Sequence, residues 1–363
     1  MDVPEKAPAT TGAQRVGVLT FHRCVNYGSY WQARAIAEGL ARRGLRCVLL
    51  DHRSPAAERA EARNVFQPVL PVRTSRADYR SYATKARRFA RAIEALPRSR
   101  SFAQDCPSDM EPLDVVVVGS DEVWNFRHPW YAACPLFFGE GLRAERVVSY
   151  AASFGCHDAA ERLGEPWAGR LRRFSALSVR DDNSRRLIQE GLGLEPALTL
   201  DPCLQFADVC RGTAETDTRL AVVYGHGFSP GVVAATRRWA AARKVRLVSV
   251  GYRNDWADEQ RLDACPEEFS RLIGCARAVV TNFFHGCVFA MLNEKPFACD
   301  VTPYRWQKVS SLLRQLGVDD RLLKEQAEDR LPRLLDEPPG ERVRARIAEL
   351  RARSSDFLDH ALA

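Results

Sequence analysis

His285 is the residue of this chain best placed to move a proton. An apolar run ending in Val279-Val280-Thr281 reads as a buried strand, Asn282 as an N-cap, and Phe284–Leu292 as a short helix by its apolar spacing. His285 then stands in the first turn of a helix at the carboxyl end of a strand. In open α/β sheets that edge binds ligands, and the free N–H groups of a helix start favour anions. An imidazole, which ordinarily titrates at about 6.5, would be raised by a bound phosphate and so become a proton donor beside it. The plainer alternative is a core histidine bonded to a backbone carbonyl. Arg180, at another strand end that meets a helix start, is a fork for a carboxylate or phosphate, or else a partner for Asp181 or Asp182. Asp121 follows the most apolar strand of the first half through Gly119-Ser120 and projects into the same kind of edge; its other reading is an N-cap. Asn26-Tyr27-Gly28 lies where the first strand gives way to its helix and offers N–H donors there.

The elements that must position these residues follow from apolar periodicity. Val16–Thr20, a helix over Ser29–Arg43 with Trp31, Ala35, Ile36 and Leu40 on one face, and Cys47–Leu50 form a βαβ unit. Such a unit implies a parallel sheet and a right-handed crossover. Residues 54–112 are a long excursion, basic and alanine-rich between Tyr79 and Leu96, which reads as a surface helix with a solvated face. Asp114–Val118, Val147–Ala151, Ala176–Val179 and Leu198–Leu200 continue the first half. Leu220–Tyr224, Val245–Val250, Ala278–Thr281 and Phe297–Asp300, with helices near Gly231–Arg243 and Pro266–Cys275, repeat the pattern in the second. A terminal helix over Glu341–Leu362 carries Val343, Ile347, Leu350, Phe357 and Leu358, and is expected to pack across the junction. The fold class is therefore α/β, with two Rossmann-like domains facing each other across a cleft. The expected divisions are a disordered leader at 1–14, an N-terminal domain at 15–205, a C-terminal domain at 206–335 and the closing helix at 336–363.

A chain of 363 residues exceeds what one core usually serves, and 46% apolar content supplies two. The formal charge of +7 is arginine-borne, since only six of the 53 Lys and Arg residues are lysine. Arginine spread along the whole chain, without a basic stripe interleaved with aromatics, argues against nucleic acid, while a net positive surface suits anionic small substrates or acidic glycans. The eleven cysteines include no Cys-x-x-Cys pair and no zinc spacing, which points to reduced thiols and a cytoplasmic location. There is no apolar run long enough for a membrane span, no signal peptide in the leader, and no carboxylate cluster that demands a metal.

Laid out this way, the chain resembles the polysaccharide pyruvyl transferase family. The resembling stretches are VLTFHRCVNYGSYWQARAIAEGL at 18–40, DVVVVGSDEVWNF at 114–126, SYAASFG at 149–155, LSVRDDNS at 177–184, LDPCL at 200–204, FFHGCVFAMLNEKPF at 283–297 and RSSDFL at 353–358, in the family's order. The resemblance implies a fold like the two-domain GT-B glycosyltransferases, the first half facing the acceptor and the second the donor. It implies transfer of a pyruvyl group from phosphoenolpyruvate, a donor substrate and not a cofactor, to hydroxyls of a saccharide. His285, matching the histidine of the family's FHG motif beside Gly286, would be the acid that protonates the enol methylene. Arg180, in the V-R motif, would hold the phosphate or carboxylate. Asp121, in the GSD motif with Ser120, would take or orient the proton of the acceptor hydroxyl. Asn26 and Gly28 would line the cleft from the first domain.

One position departs from the family pattern. Two residues before the histidine, many members carry serine or sometimes arginine; here it is Phe283, which removes a donor to the anion. Phe283, with Tyr27, Trp31 and Trp124, would make the cleft aromatic and suit a sugar or another flat acceptor; the alternative for each is plain packing. The partners implied are a small-molecule donor and a hydroxyl acceptor, with a homo-oligomer left open. Competing readings are a GT-B glycosyltransferase using a nucleotide sugar, a family member diverted to a natural product, and a non-catalytic binding protein. Against the first, the second half shows no acidic residue suitably spaced after a glycine loop to grip a ribose. Against the last, His285, Arg180 and Asp121 are all present.

Overall fold

The computed structural model of the chain describes residues 13–212, 215–323 and 327–363. Most of the expected leader, residues 1–12, lies outside the described residues. Two parallel sheets form the frame. In the first, the strands run in the order Arg46–Leu49, Arg15–Leu19, Leu113–Val118, Ala144–Ser149, and isolated bridges join the edge to the short strand Ser178–Val179. The second has the order Glu259–Arg261, Arg246–Val250, Asp217–Tyr224, Ala276–Thr281, Phe297–Cys299. Parallel strands covered on both faces read as unbroken apolar runs, and Val115 to Val118 are accordingly inaccessible to solvent. The pairing sets Leu19 beside Val118, Val118 beside Ser149, and Tyr224 beside Thr281, so the strands of each sheet end together and their loops converge on one cleft.

Helix Tyr27–Arg42 locks the halves together. It starts two residues earlier than the apolar spacing predicts because the Asn26 carboxamide accepts from the N–H groups of Gly28 (2.8 Å) and Ser29 (3.2 Å). Tyr27 stacks on Phe269 of the second half with centroids 4.4 Å apart and donates its hydroxyl to Ala264 O at 2.8 Å. Trp31 donates to Pro266 O at 3.0 Å. These rings thus pack at the junction and do not face the cleft, contrary to the expectation of aromatic cleft walls at 27 and 31. One apolar cluster runs continuously from Val16 and Val115 in the first sheet to Val222 and Val279 in the second, so separating the halves would expose core to water.

The basic helix also departs from its expected solvated role. Helix Tyr79–Glu94 buries Tyr82, Lys85, Phe89 and Ile93, and its Arg88 donates to Glu268 Oε2 of the second half at 2.6 Å. Helix Glu341–Leu362 forms with the expected bounds. Its Ser354 hydroxyl accepts from Leu200 N (2.9 Å), Ser355 accepts from Arg43 (2.9 Å), and Arg344 pairs with Glu294 (2.8 Å), contacts that touch both halves. No helix among the described residues is long and apolar enough to cross a membrane.

Lys85 gives the junction a pH signature. Its ammonium donates to Gly251 O at 3.1 Å between the rings of Tyr27 and Tyr252, and burial pulls it from 10.5 down to about 7. Between those values the unfolded chain holds a proton at Lys85 that the folded chain has released, so stability rises with pH across that window. Wild type should therefore gain on Lys85→Met as pH is raised from 7 toward 10, by at most about 1.4 kcal/mol per pH unit. Parallel denaturation curves in urea would show no such divergence if the ammonium stayed charged.

Candidate active site

His285 lies in the first turn of helix Phe284–Leu292, as its spacing predicts, but the turn is made differently. Phe283 occupies the N-cap position, the Thr281 hydroxyl accepts from Phe283 N at 3.1 Å, and Asn282 turns away to donate to His226 O at 2.6 Å. The imidazole Nε2 points toward Asp201 Oδ2 at 3.4 Å, off the line of a hydrogen bond. Against its other face lies Gly28, where an added Cβ would come 2.1 Å from Nδ1. Gly28 therefore serves the site by leaving room for the ring, which corrects its expected role as a ligand-binding residue.

Arg180 is 2% exposed at its side chain and already engaged. Its guanidinium lies 3.3 Å from Asp121 Oδ1, 3.4 Å from Asp201 Oδ2 and 4.6 Å from the ring of Phe284. Neither Asp181 nor Asp182 is its partner: Asp181 caps the next helix, accepting from Ser184 N at 2.8 Å. Asp121 does not cap a helix either. It holds φ at +80°, a strained value for a non-glycine residue, and accepts from the Ser29 hydroxyl at 2.9 Å. The contacts thus run from Ser29 through Asp121, Arg180 and Asp201 to His285, tying the first helix to the second half.

The electrostatics follow from these contacts. Burial alone would raise the Asp201 carboxyl, but His285 and Arg180 hold it down at about 2. Glu122 behaves likewise: burial opposes its charge, and Lys308, with which it pairs across the cleft, and Arg180 bring it to about 2. The cleft encloses about 440 Å³, within the range of small-molecule sites, and Asn26, Asp121, Arg180, Phe283, His285 and Arg305 line it.

Three expected site residues point elsewhere. Trp124 is fully buried, donates to Phe137 O at 2.8 Å and packs on Phe138 and Phe154. Ser120 is turned into the core, its hydroxyl donating to Gln32 Oε1 at 3.2 Å. Gly286 permits close packing, since a Cβ there would fall 2.0 Å from Thr281 Oγ1. Conversely, Asp201, Glu122, Arg305 and Lys308 belong to the site although sequence reasoning assigned them no role. Asp201 and Glu122 lie inside the stretches that carry the resemblance; Arg305 and Lys308 lie at the start of helix Trp306–Gln315, whose apolar spacing at Trp306, Val309, Leu312, Leu313 and Leu316 signals a helix but not which polar residues face the cleft.

Asp201, Cys203 and His285 bring three donor atoms within 4.8 Å of one another. A divalent cation there would face a thiol that burial pushes well up and a guanidinium already on Asp201. The set fits an oriented histidine better than a metal.

A family model described as polysaccharide pyruvyl transferase matches residues 26–299. Among solved structures, S. aureus MnaA in its UDP co-structure is 11% identical, with 96% of this chain and 95% of that chain covered at a TM-score of 0.51. UDP-GlcNAc 2-epimerase from Methanocaldococcus jannaschii is 10% identical (90% and 93% covered, TM-score 0.49), and the glycosyltransferase SnogD from Streptomyces nogalater 14% (97% and 98%, TM-score 0.42). The likeness to MnaA shows the fold, which is GT-B-like. No curated protein matches the chain in sequence.

The tight seat of His285 predicts that Gly28→Ala will displace the ring and lower turnover on the order of 10²-fold, the usual cost of misplacing a reacting group by about 1 Å. Circular dichroism should show the fold retained. Unchanged turnover would mean that the ring position does not matter.

Proposed function

The chain belongs to the polysaccharide pyruvyl transferase family, and on that premise we propose that the cleft moves a pyruvyl group from phosphoenolpyruvate to hydroxyls of a saccharide. The observation that carries this reading is the His285–Asp201 pair at the cleft edge, an imidazole backed by a carboxylate that stays ionised. An ionised carboxylate in that position stabilises the imidazolium by its charge.

The reaction balances with the residues present. The His285 imidazolium gives its proton to the enol methylene, which becomes the methyl group and leaves an electrophilic carbon. An acceptor hydroxyl attacks that carbon, and Asp121, facing the cleft, takes or orients its proton. The bond from that carbon to the phosphate oxygen then breaks and phosphate departs. A second hydroxyl closes the ketal, its proton leaving with the phosphate, while the proton taken from the first hydroxyl restores the imidazolium. Arg180 positions the two carboxylates. Free thiols throughout the described residues fit a reducing compartment, and we place the enzyme in the cytoplasm with its donor.

The test is phosphate release on incubation with phosphoenolpyruvate and a panel of saccharides. His285→Ala should lower acceptor-dependent release by about 10²–10⁴-fold, the contribution of a positioned acid, and leave phosphoenolpyruvate affinity within about tenfold. Release that ignores His285, or a thermal shift with UDP sugars and none with phosphoenolpyruvate, would overturn the proposal.

A further inference from the structure

Three cationic side chains line the cleft, and two of them are spoken for. Arg180 lies between Asp121 and Asp201, and Lys308 pairs with Glu122. Arg305 is the exception: it makes no ion pair among the described residues. Its guanidinium lies 4.5 Å from the ring of Phe283, donates through Nη1 to the Thr302 hydroxyl at 3.3 Å, and meets His226 Nε2 at 3.2 Å through Nη2. Arginine has no lone pair to offer, so His226 Nε2 must be the acceptor and its ring neutral. Burial, with Arg305 adding to it, holds His226 down at about 4, in keeping with that assignment.

Phe283 is part of this arrangement. Its ring packs against Tyr224, Tyr252 and His226, with centroids 4.9, 5.1 and 5.5 Å away, and presents a flat face on which the guanidinium rests. Nη1 and Nη2 each spend one N–H, on Thr302 and His226 respectively, which leaves Nε–H and the second N–H of each for a planar anion, the donors that carboxylate and phosphate recognition uses. A partly buried cation without a counter-ion, at the wall of a cleft where the other cations are neutralised, is the place where an anionic ligand gains most.

We propose that Arg305, stacked on Phe283, is the fork that binds an anionic end of the donor, and that Arg180 is not. The inference rests on the proposed function for the donor's identity, and it separates from that function at the bench. Donor binding would then come from the 303–305 turn of the second half, while the acid that protonates the donor stands on the helix that follows Phe283.

Isothermal titration with phosphoenolpyruvate and, separately, with inorganic phosphate tests it on wild type, Arg305→Gln, Arg305→Lys and the double variant Phe283→Arg/Arg305→Gln. Arg305→Gln should weaken phosphoenolpyruvate binding about 30-fold or more, the usual result of removing one side of a desolvated charge pair. Arg305→Lys keeps the charge without the fork, carries little risk to folding, and should lose less. The double variant, which returns a guanidinium to the space beside the Phe283 position, should recover affinity to within about threefold of wild type. If wild type binds and turns over phosphoenolpyruvate while both single variants keep its affinity within about threefold, the fork is refuted and the transferase reading stands. If wild type binds phosphate in an Arg305-dependent way but ignores phosphoenolpyruvate, the fork stands and the donor assignment falls. If wild type binds neither, both fall.

Discussion

A guanidinium buried between two carboxylates holds this site in place. Stripping water from Arg180 is unfavourable unless its charge is met, and Asp121 and Asp201 meet it from two different strand ends. Each carboxylate then has a second task. Asp121 accepts from Ser29 at the start of the first helix, and Asp201 backs His285 at the start of a helix in the other half. Removing Arg180 leaves two carboxylates without their shared cation, an effect of about 3–5 kcal/mol, whereas removing one carboxylate leaves Arg180 paired with the other. The active geometry and the local stability are thus the same set of contacts, and Asp121 keeps a strained backbone at φ +80° because those contacts hold it there.

That network is only useful if the halves keep their spacing, and aromatic packing sees to it. Tyr27, Trp31 and Phe89 from the first half meet Tyr224, Phe269 and Phe289 from the second in one continuous core. Ion pairs and side-chain bonds from the basic helix and the terminal helix fasten the edges of the same junction. The polar pair Glu122–Lys308 crosses the cleft nearer solvent.

Much of this frame could be read from residue types alone. The valine run at 115–118 is short and β-branched, which favours a buried strand over a helix, and the terminal helix carries its apolar residues at helical spacing. The polar edge strand Glu259–Arg261 carries none and went unread. Side-chain direction was the harder matter. Ser120 and Asp121 are neighbours, yet the first turns into the core and the second into the cleft, beyond the end of the strand and from a backbone at φ +80° for Asp121 that no strand period forecasts. Trp124 shares a motif with Asp121 and is pure packing. Gly28 matters for the atom it lacks. Asp201 and Arg305 were invisible because their partners are remote in the chain, His285 for the one and His226 with Phe283 for the other, and only the fold brings them together.

The chemistry assigned to His285 requires that the bond from the enol carbon to the phosphate oxygen is the one that breaks. Phosphoenolpyruvate carrying a heavy oxygen isotope at that bridging position tests this directly, with mass analysis of the products after turnover on a saccharide acceptor. The account predicts the label in the released phosphate. Label retained in the pyruvyl carbon skeleton would mean phosphoryl transfer instead, and would contradict a proton delivered by His285 to the methylene.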